Sequence, residues 1–222
     1  MAKQMKKGRA VNLSQLLVPL AALIALVLFN LIRDPSFFFV EFAVNNSGDP
    51  VLKGNLISIF NGASELALLS MGMTLVTAAS GGQDISVGAL STIAASVFIH
   101  TLRSSASITV GTVALAFLAC CVVAMIFSAF NGTLVAVFRI QPMIATLILF
   151  TCGRSIAYWI NGGASPTVES PYVTALGSFI PGIPVPTPIL IVILAGIILA
   201  LVLKFTNLAL YVQTVGINQG AA

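Results

Sequence analysis

The stretch from Ile108 to Val137, ITVGTVALAFLACCVVAMIFSAFNGTLVAV, contains no charged residue. A helix rises about 1.5 Å per residue, so roughly 20 apolar residues cross a hydrocarbon core of about 30 Å. This block therefore spans a bilayer with length to spare. Its apolar residues are continuous and do not alternate with polar ones as a barrel wall requires, so the span is helical. The surplus length leaves three readings: a strong tilt, extension past the membrane, or a break near Asn131-Gly132.

Applied outward from this block, the same ruler marks six spans. They run approximately from Leu13 to Ile32, Asn55 to Ala79, Ile85 to Leu102, Ile108 to Val137, Met143 to Ile160 and Thr187 to Leu203. The expected fold class is all-α, a polytopic transmembrane helical bundle. Residues 1–12 form a basic amino-terminal segment, 13–204 the membrane region, and 205–222 the opening of a cytoplasmic segment. Composition agrees: 7% of residues are charged, against roughly 25% in a soluble domain.

Four of the basic residues, Lys3, Lys6, Lys7 and Arg9, stand immediately before the first apolar block. They read as a topology signal and not as a nucleic-acid patch. The block behind them is too long for a signal peptide and is closed by no small-residue cleavage pattern, so it reads as a retained anchor. With the amino terminus in the cytoplasm, Arg139 and Lys204 also fall inside, whereas Arg33, Lys53 and Arg103 fall outside. The excess of bases inside agrees with the positive-inside rule.

The loops at 33–53 and 161–186, rich in Pro and Gly, are expected to be external and at least partly ordered. Phe37 to Phe39, Tyr158, Trp159 and Tyr211 fall near the interfaces, where aromatic belts form. Cys120, Cys121 and Cys152 have no metal-ligand spacing and read as small core hydrophobes. His100 has no second histidine with which to hold a metal and reads as an interfacial residue.

Polar residues inside apolar blocks are the candidate functional positions. Glu65 lies near the middle of the second span and Arg154 within the fifth. An ionised group there is costly unless it turns to the bundle interior, a wet cavity or an opposite charge. The segment Ser80-Gly81-Gly82-Gln83-Asp84-Ile85-Ser86-Val87-Gly88 interrupts two spans. Its glycines permit a turn, and Asp84 is placed to cap the following helix. The functional alternative is that this break borders a translocation path. Recurrent small residues along the spans read as sites of close helix packing.

No phosphate-binding G-x-x-x-x-G-K-[ST] loop occurs, and neither H-E-x-x-H nor G-x-S-x-G is found. The expectation is a chain with no catalytic or metal-binding residues and no cofactor of its own.

Three stretches resemble the ribose/galactose-type family of ABC permeases, the bacterial importers of monosaccharides. Gly72-Met73-Thr74-Leu75-Val76, followed by Gly82-Gln83-Asp84-Ile85-Ser86-Val87-Gly88, resembles the family's "GMTLVI…GIDLSVG" signature, with Gln83 in place of an apolar residue. Asn131-Gly132 with Leu134-Val135, then Ile140-Gln141-Pro142 and Ala145-Thr146-Leu147 through Gly153-Arg154, resembles a second family stretch. Gly216-Ile217-Asn218-Gln219-Gly220-Ala221-Ala222 is similar to the "G-x-N-x-x-A-A" segment that opens the family's ATPase-coupling region.

The resemblance implies a permease subunit in the bacterial cytoplasmic (inner) membrane. Its partners would be a second permease copy, a cytoplasmic ATP-binding subunit that uses ATP and Mg, an extracytoplasmic sugar-binding protein, and membrane lipid. Glu65, Gly82, Asp84, Ser86, Gly88, Asn131 and Arg154 are the candidates for the path or its helix break. Gly216, Asn218, Ala221 and Ala222 are the candidates for ATPase coupling. Family members continue through further spans, so the chain is expected to correspond to a member truncated within its coupling segment, and to be inactive alone. The rival reading is an ion-coupled transporter or channel using Glu65 or Asp84; a membrane-embedded enzyme or scaffold is a third.

Overall fold

The structure is a computed structural model and describes residues 13–44 and 48–217. Eight helices and one hairpin follow in the order α1 (Leu13–Arg33), β1 (Glu41–Val44), β2 (Pro50–Lys53), α2 (Asn55–Ser80), α3 (Val87–Arg103), α4 (Val110–Ala136), α5 (Pro142–Ile160), α6 (Pro171–Gly177), α7 (Thr187–Phe205) and α8 (Leu208–Ile217). Helices α2, α4, α5 and α7 are each long and apolar enough to cross a membrane; α3 and the Leu17–Arg33 part of α1 are shorter apolar helices.

Local sequence fixes the boundaries. Gly81 ends α2 in the left-handed conformation, φ 68°, donating its N–H to the Thr77 carbonyl, a conformation glycine adopts without a Cβ penalty. Thr109 and Thr112 form a reciprocal capping box at the start of α4. Prolines open α5, α6 and α7, where the missing N–H costs nothing.

Of the three readings left open for the long apolar block, a break at Asn131-Gly132 is not what forms. Residues 110–136 make one unbroken helix. The loop after the first span is a second difference, since residues 41–53 form an antiparallel hairpin pairing Glu41 with Lys53 and Val44 with Pro50. Leu52 of this hairpin donates its backbone N–H to Pro184 O, tying it to the loop before α7.

Helix packing divides the bundle into two groups. α3 lies between α4 and α5, and Ile93, Leu149 and Ala157 are buried among Leu90, Val123, Phe127, Ile156 and Ile160. A Cβ on Gly153 would fall 2.7 Å from the Ala89 Cβ, so the two helices cross at van der Waals contact. α2, α7 and α8 form the second group, and short α6 touches both α4 and α7. Apolar side chains of α1 from Leu17 to Ile32 are largely exposed, as expected of a helix whose solvent is lipid.

The up-and-down order collects distinct features at the two ends. One end carries the α2–α3 link, the α4–α5 link with Arg139, and α8 beyond Lys204. The other carries the hairpin, α6 and its flanking loops.

Candidate translocation hub and coupling contact

The α2–α3 link is held by buried polar bonds. Asp84 Oδ1 accepts the Ser86 backbone N–H at 2.7 Å and the Ser86 hydroxyl at 2.6 Å. The Ser86 Oγ in turn accepts from Asn131 Nδ2 of α4 at 3.1 Å. Because the serine proton is committed to the carboxylate, the asparagine must present its amide nitrogen, which fixes its orientation. Asn131 Oδ1 is then buried with no partner among the described residues.

The same link is tied to α5. Ile85 N donates to Thr146 Oγ1 at 3.2 Å, and that hydroxyl donates to Pro142 O at 3.0 Å. Gly82 packs directly on the Pro142 ring, where a Cβ would come within 2.8 Å of Cγ. Ser86, Asn131 and Thr146 are all buried. Together they join the break between two spans to the ends of two others.

Asp84 thus plays a part close to the expected cap but one step earlier. It accepts the N–H of Ser86, the residue before α3, and Ser86 itself makes no side-chain cap bond. The result is an Asp-closed turn that points the serine hydroxyl at α4.

Among the candidate residues, Gly82, Asp84, Ser86 and Asn131 come together here. Gly88 does not: it is exposed, and its carbonyl accepts the hydroxyls of Ser91 and Thr92. Glu65 on α2 and Arg154 on α5 are both exposed on the surface of this chain and lie in different packed groups. Cys152 also is exposed and not a core residue, a correction that follows from its place on the outer face of α5. Thr146 was named only through the resemblance, and nothing in an apolar span marks a threonine as joined to a distant N–H.

At the same end of the bundle, α8 packs on α2. Gly216 lies so close to the Ala78 carbonyl that a Cβ would overlap it. The other coupling candidates, Asn218, Ala221 and Ala222, lie outside the described residues. A second polar tie joins α5 to α3 toward the hairpin end, where Asn161 Nδ2 donates to Ser96 Oγ at 3.0 Å. There, too, is an open groove of ≈ 440 Å³ lined in part by Lys53, Asn55, Ser58, Asn61, Ser178 and Phe179.

Residues 55–222 match the family described as branched-chain amino acid transport system / permease component. The chain belongs to that family and is a multi-pass membrane protein. It is 36% identical over 91% of its length to the galactofuranose transporter permease protein YtfT of Escherichia coli K12, of which it covers 56%. It is 29% identical over 76% of its length to the probable ABC transporter permease protein y4mJ of Sinorhizobium fredii, of which it covers 49%. It is also 28% identical over 91% of its length to the ribose import permease protein RbsC of Escherichia coli K12, of which it covers 58%. The chain thus spans about half the length of these relatives. No solved structure matches it.

Proposed function

We infer that the chain is the membrane-spanning part of an ATP-driven monosaccharide importer of the bacterial cytoplasmic membrane, with its amino terminus in the cytoplasm. It works as a pair with a second permease copy, and a separate cytoplasmic subunit hydrolyses ATP with Mg. An extracytoplasmic binding protein delivers the sugar, of the galactofuranose or ribose kind named for its relatives.

The observation that carries this reading is the contact between Gly216 and Ala78. It sets the coupling-like helix against the end of α2, a few residues before the link held by Asp84, Ser86, Asn131 and Thr146. A push on α8 is therefore applied beside the hub joining α2 and α3 to α4 and α5. Closure of an ATPase pair below α8 would shift these elements together and change the side to which the path opens. The polar groove at the hairpin end suits the entry of a hydroxylated ligand, with Lys53, Asn55 and Asn61 supplying hydrogen-bonding groups and Phe179 an aromatic ring.

The test is ATP hydrolysis in lipid nanodiscs by the chain assembled with its ATPase and binding protein, across a panel of monosaccharides. Stimulation by one sugar-loaded binding protein is expected. If the ATPase does not associate with the chain, or if collapse of the proton gradient abolishes uptake while ATP is held constant, the reading is wrong.

A further inference from the structure

Glu65 and Arg154 sit deep in apolar helices, yet each points out of this chain. The packed face of α5 carries Ala145, Thr146, Leu149, Gly153 and Ala157, and Arg154 lies beside it, exposed. On α2 the buried residue is Ser64, whose neighbour Glu65 is exposed. α2 and α5 belong to different packed groups.

Their depths match. Gly82, just past the end of α2, rests on Pro142, the first residue of α5, so the two helices share a reference level. At 1.5 Å per residue, Glu65 stands about 22 Å from Ser80 and Arg154 about 18 Å from Pro142. The difference is less than one helical turn. Glu65 is also about 15 Å from the opposite end of α2, beyond the reach of a short carboxylate to water, whereas a long arginine bends several ångströms along the helix. An acid held there needs a donor supplied by protein.

Resting on the reading of the chain as a paired permease subunit, we propose that Glu65 of one copy binds Arg154 of a second copy, and the reverse, across a two-fold interface formed by α2 and α5. Two-fold symmetry makes a single acid and a single base at equal depth complementary twice over. The guanidinium fork can engage the carboxylate with two parallel bonds. Ser58, Gly62 and Gly72 recur at helical spacing on the Glu65 side of α2. A Cβ added at Gly62 or Gly72 would meet nothing within 4 Å among the described residues. A helix of the second copy can therefore approach closely at the level of the acid.

The test uses two differently tagged copies of the full chain, with Cys120, Cys121 and Cys152 replaced by Ser. One copy carries Glu65→Cys and the other Arg154→Cys. They are co-expressed in membranes and treated with a short bis-maleimide. A linked product carrying both tags, several-fold more abundant than that from two Glu65→Cys copies, is expected. If the chain is dimeric by mass in nanodiscs but the mixed pair links no better than that control, the interface is wrong while the paired reading stands. If only monomers are found, both are wrong. Internal linkage of a single chain carrying both cysteines, without a dimer, would place the ion pair within one copy and overturn the proposal. Charge reversal gives a readout independent of cysteine chemistry: Glu65→Arg or Arg154→Glu alone should cut the dimer fraction several-fold, and the two together should restore it. Failure of the double reversal to recover any dimer, with each variant inserted normally, counts against the pair.

Discussion

The two helix groups of this bundle differ in how much of themselves they bury. α3, α4 and α5 enclose Ile93, Leu149 and Ala157, cross at Gly153 and Ala89, and are joined by the Ser86–Asn131 and Ser96–Asn161 bonds. α2, α7 and α8 bury only Ser64 along α2 and Thr187 at the start of α7. In water such exposed apolar faces would aggregate; in lipid they are tolerated, because tails solvate Leu and Val as well as another helix does. Packing in a membrane is therefore informative where small or polar residues force it. The first group has such residues facing inward, whereas the second has Gly62, Glu65 and Gly72 facing out, as a surface prepared for other protein would.

The sharpest way to break this contrast is at the crossing of α3 and α5. Gly153→Leu drives a branched side chain into Ala89, and overpacking of this kind costs about 1–3 kcal/mol. We expect it to be the most destabilising substitution discussed here, measured by thermal or denaturant unfolding in detergent. Gly72→Leu, in open space on α2, should by contrast leave the isolated chain's stability nearly unchanged. A milder form is the pair Gly153→Ala and Ala89→Gly: the first alone should destabilise and the second should recover part of the loss, as coupled neighbours do. Independent, additive effects would show that the helices do not meet there.

Next in size is Thr146→Val, which keeps the shape but leaves the Ile85 N–H without its acceptor, at a cost of about 1–2 kcal/mol. Asn131→Leu should cost less, about 0.5 kcal/mol, because it removes an unpartnered buried Oδ1 together with the bond to Ser86. Thr146→Val being the milder of the two would mean that the Asn131 oxygen has a partner.

How far the sequence disclosed this arrangement depends on the kind of interaction involved. The spans were legible because a bilayer imposes one length on every helix, and the apolar blocks around Leu115, Ile148 and Leu194 report it directly. The α2–α3 break was legible as Gly81, Gly82, Asp84 and Ser86 interrupting that pattern. Its attachment to α5 was not, because Thr146 looks like any span threonine bonded back to its own helix, as Thr133 is to Ala129. The hairpin escaped because Glu41–Val44 and Pro50–Lys53 are short, and Pro50 argues against a strand until its partner is known. Glu65 and Arg154 were visible as charges in spans, but the direction each faces depends on which helices pack on α2 and α5.

The smallest change in stability is expected from Gly216→Ala. Its added methyl meets the Ala78 carbonyl, and backbone cannot yield as a flexible side chain does, so the end of α8 must move away from α2. Because most of α8 is exposed, little buried area is lost, and unfolding should shift by no more than about 0.5 kcal/mol. Coupling should respond differently. If α8 relays the ATPase stroke to the Asp84 hub, moving it from Ala78 should lower sugar-stimulated ATP hydrolysis several-fold while leaving basal hydrolysis and assembly intact. A fall in stability without a change in stimulation would make the contact a packing feature of the loose group. Loss of stimulation at unchanged stability would show that the group with the least internal packing is the one that carries the signal.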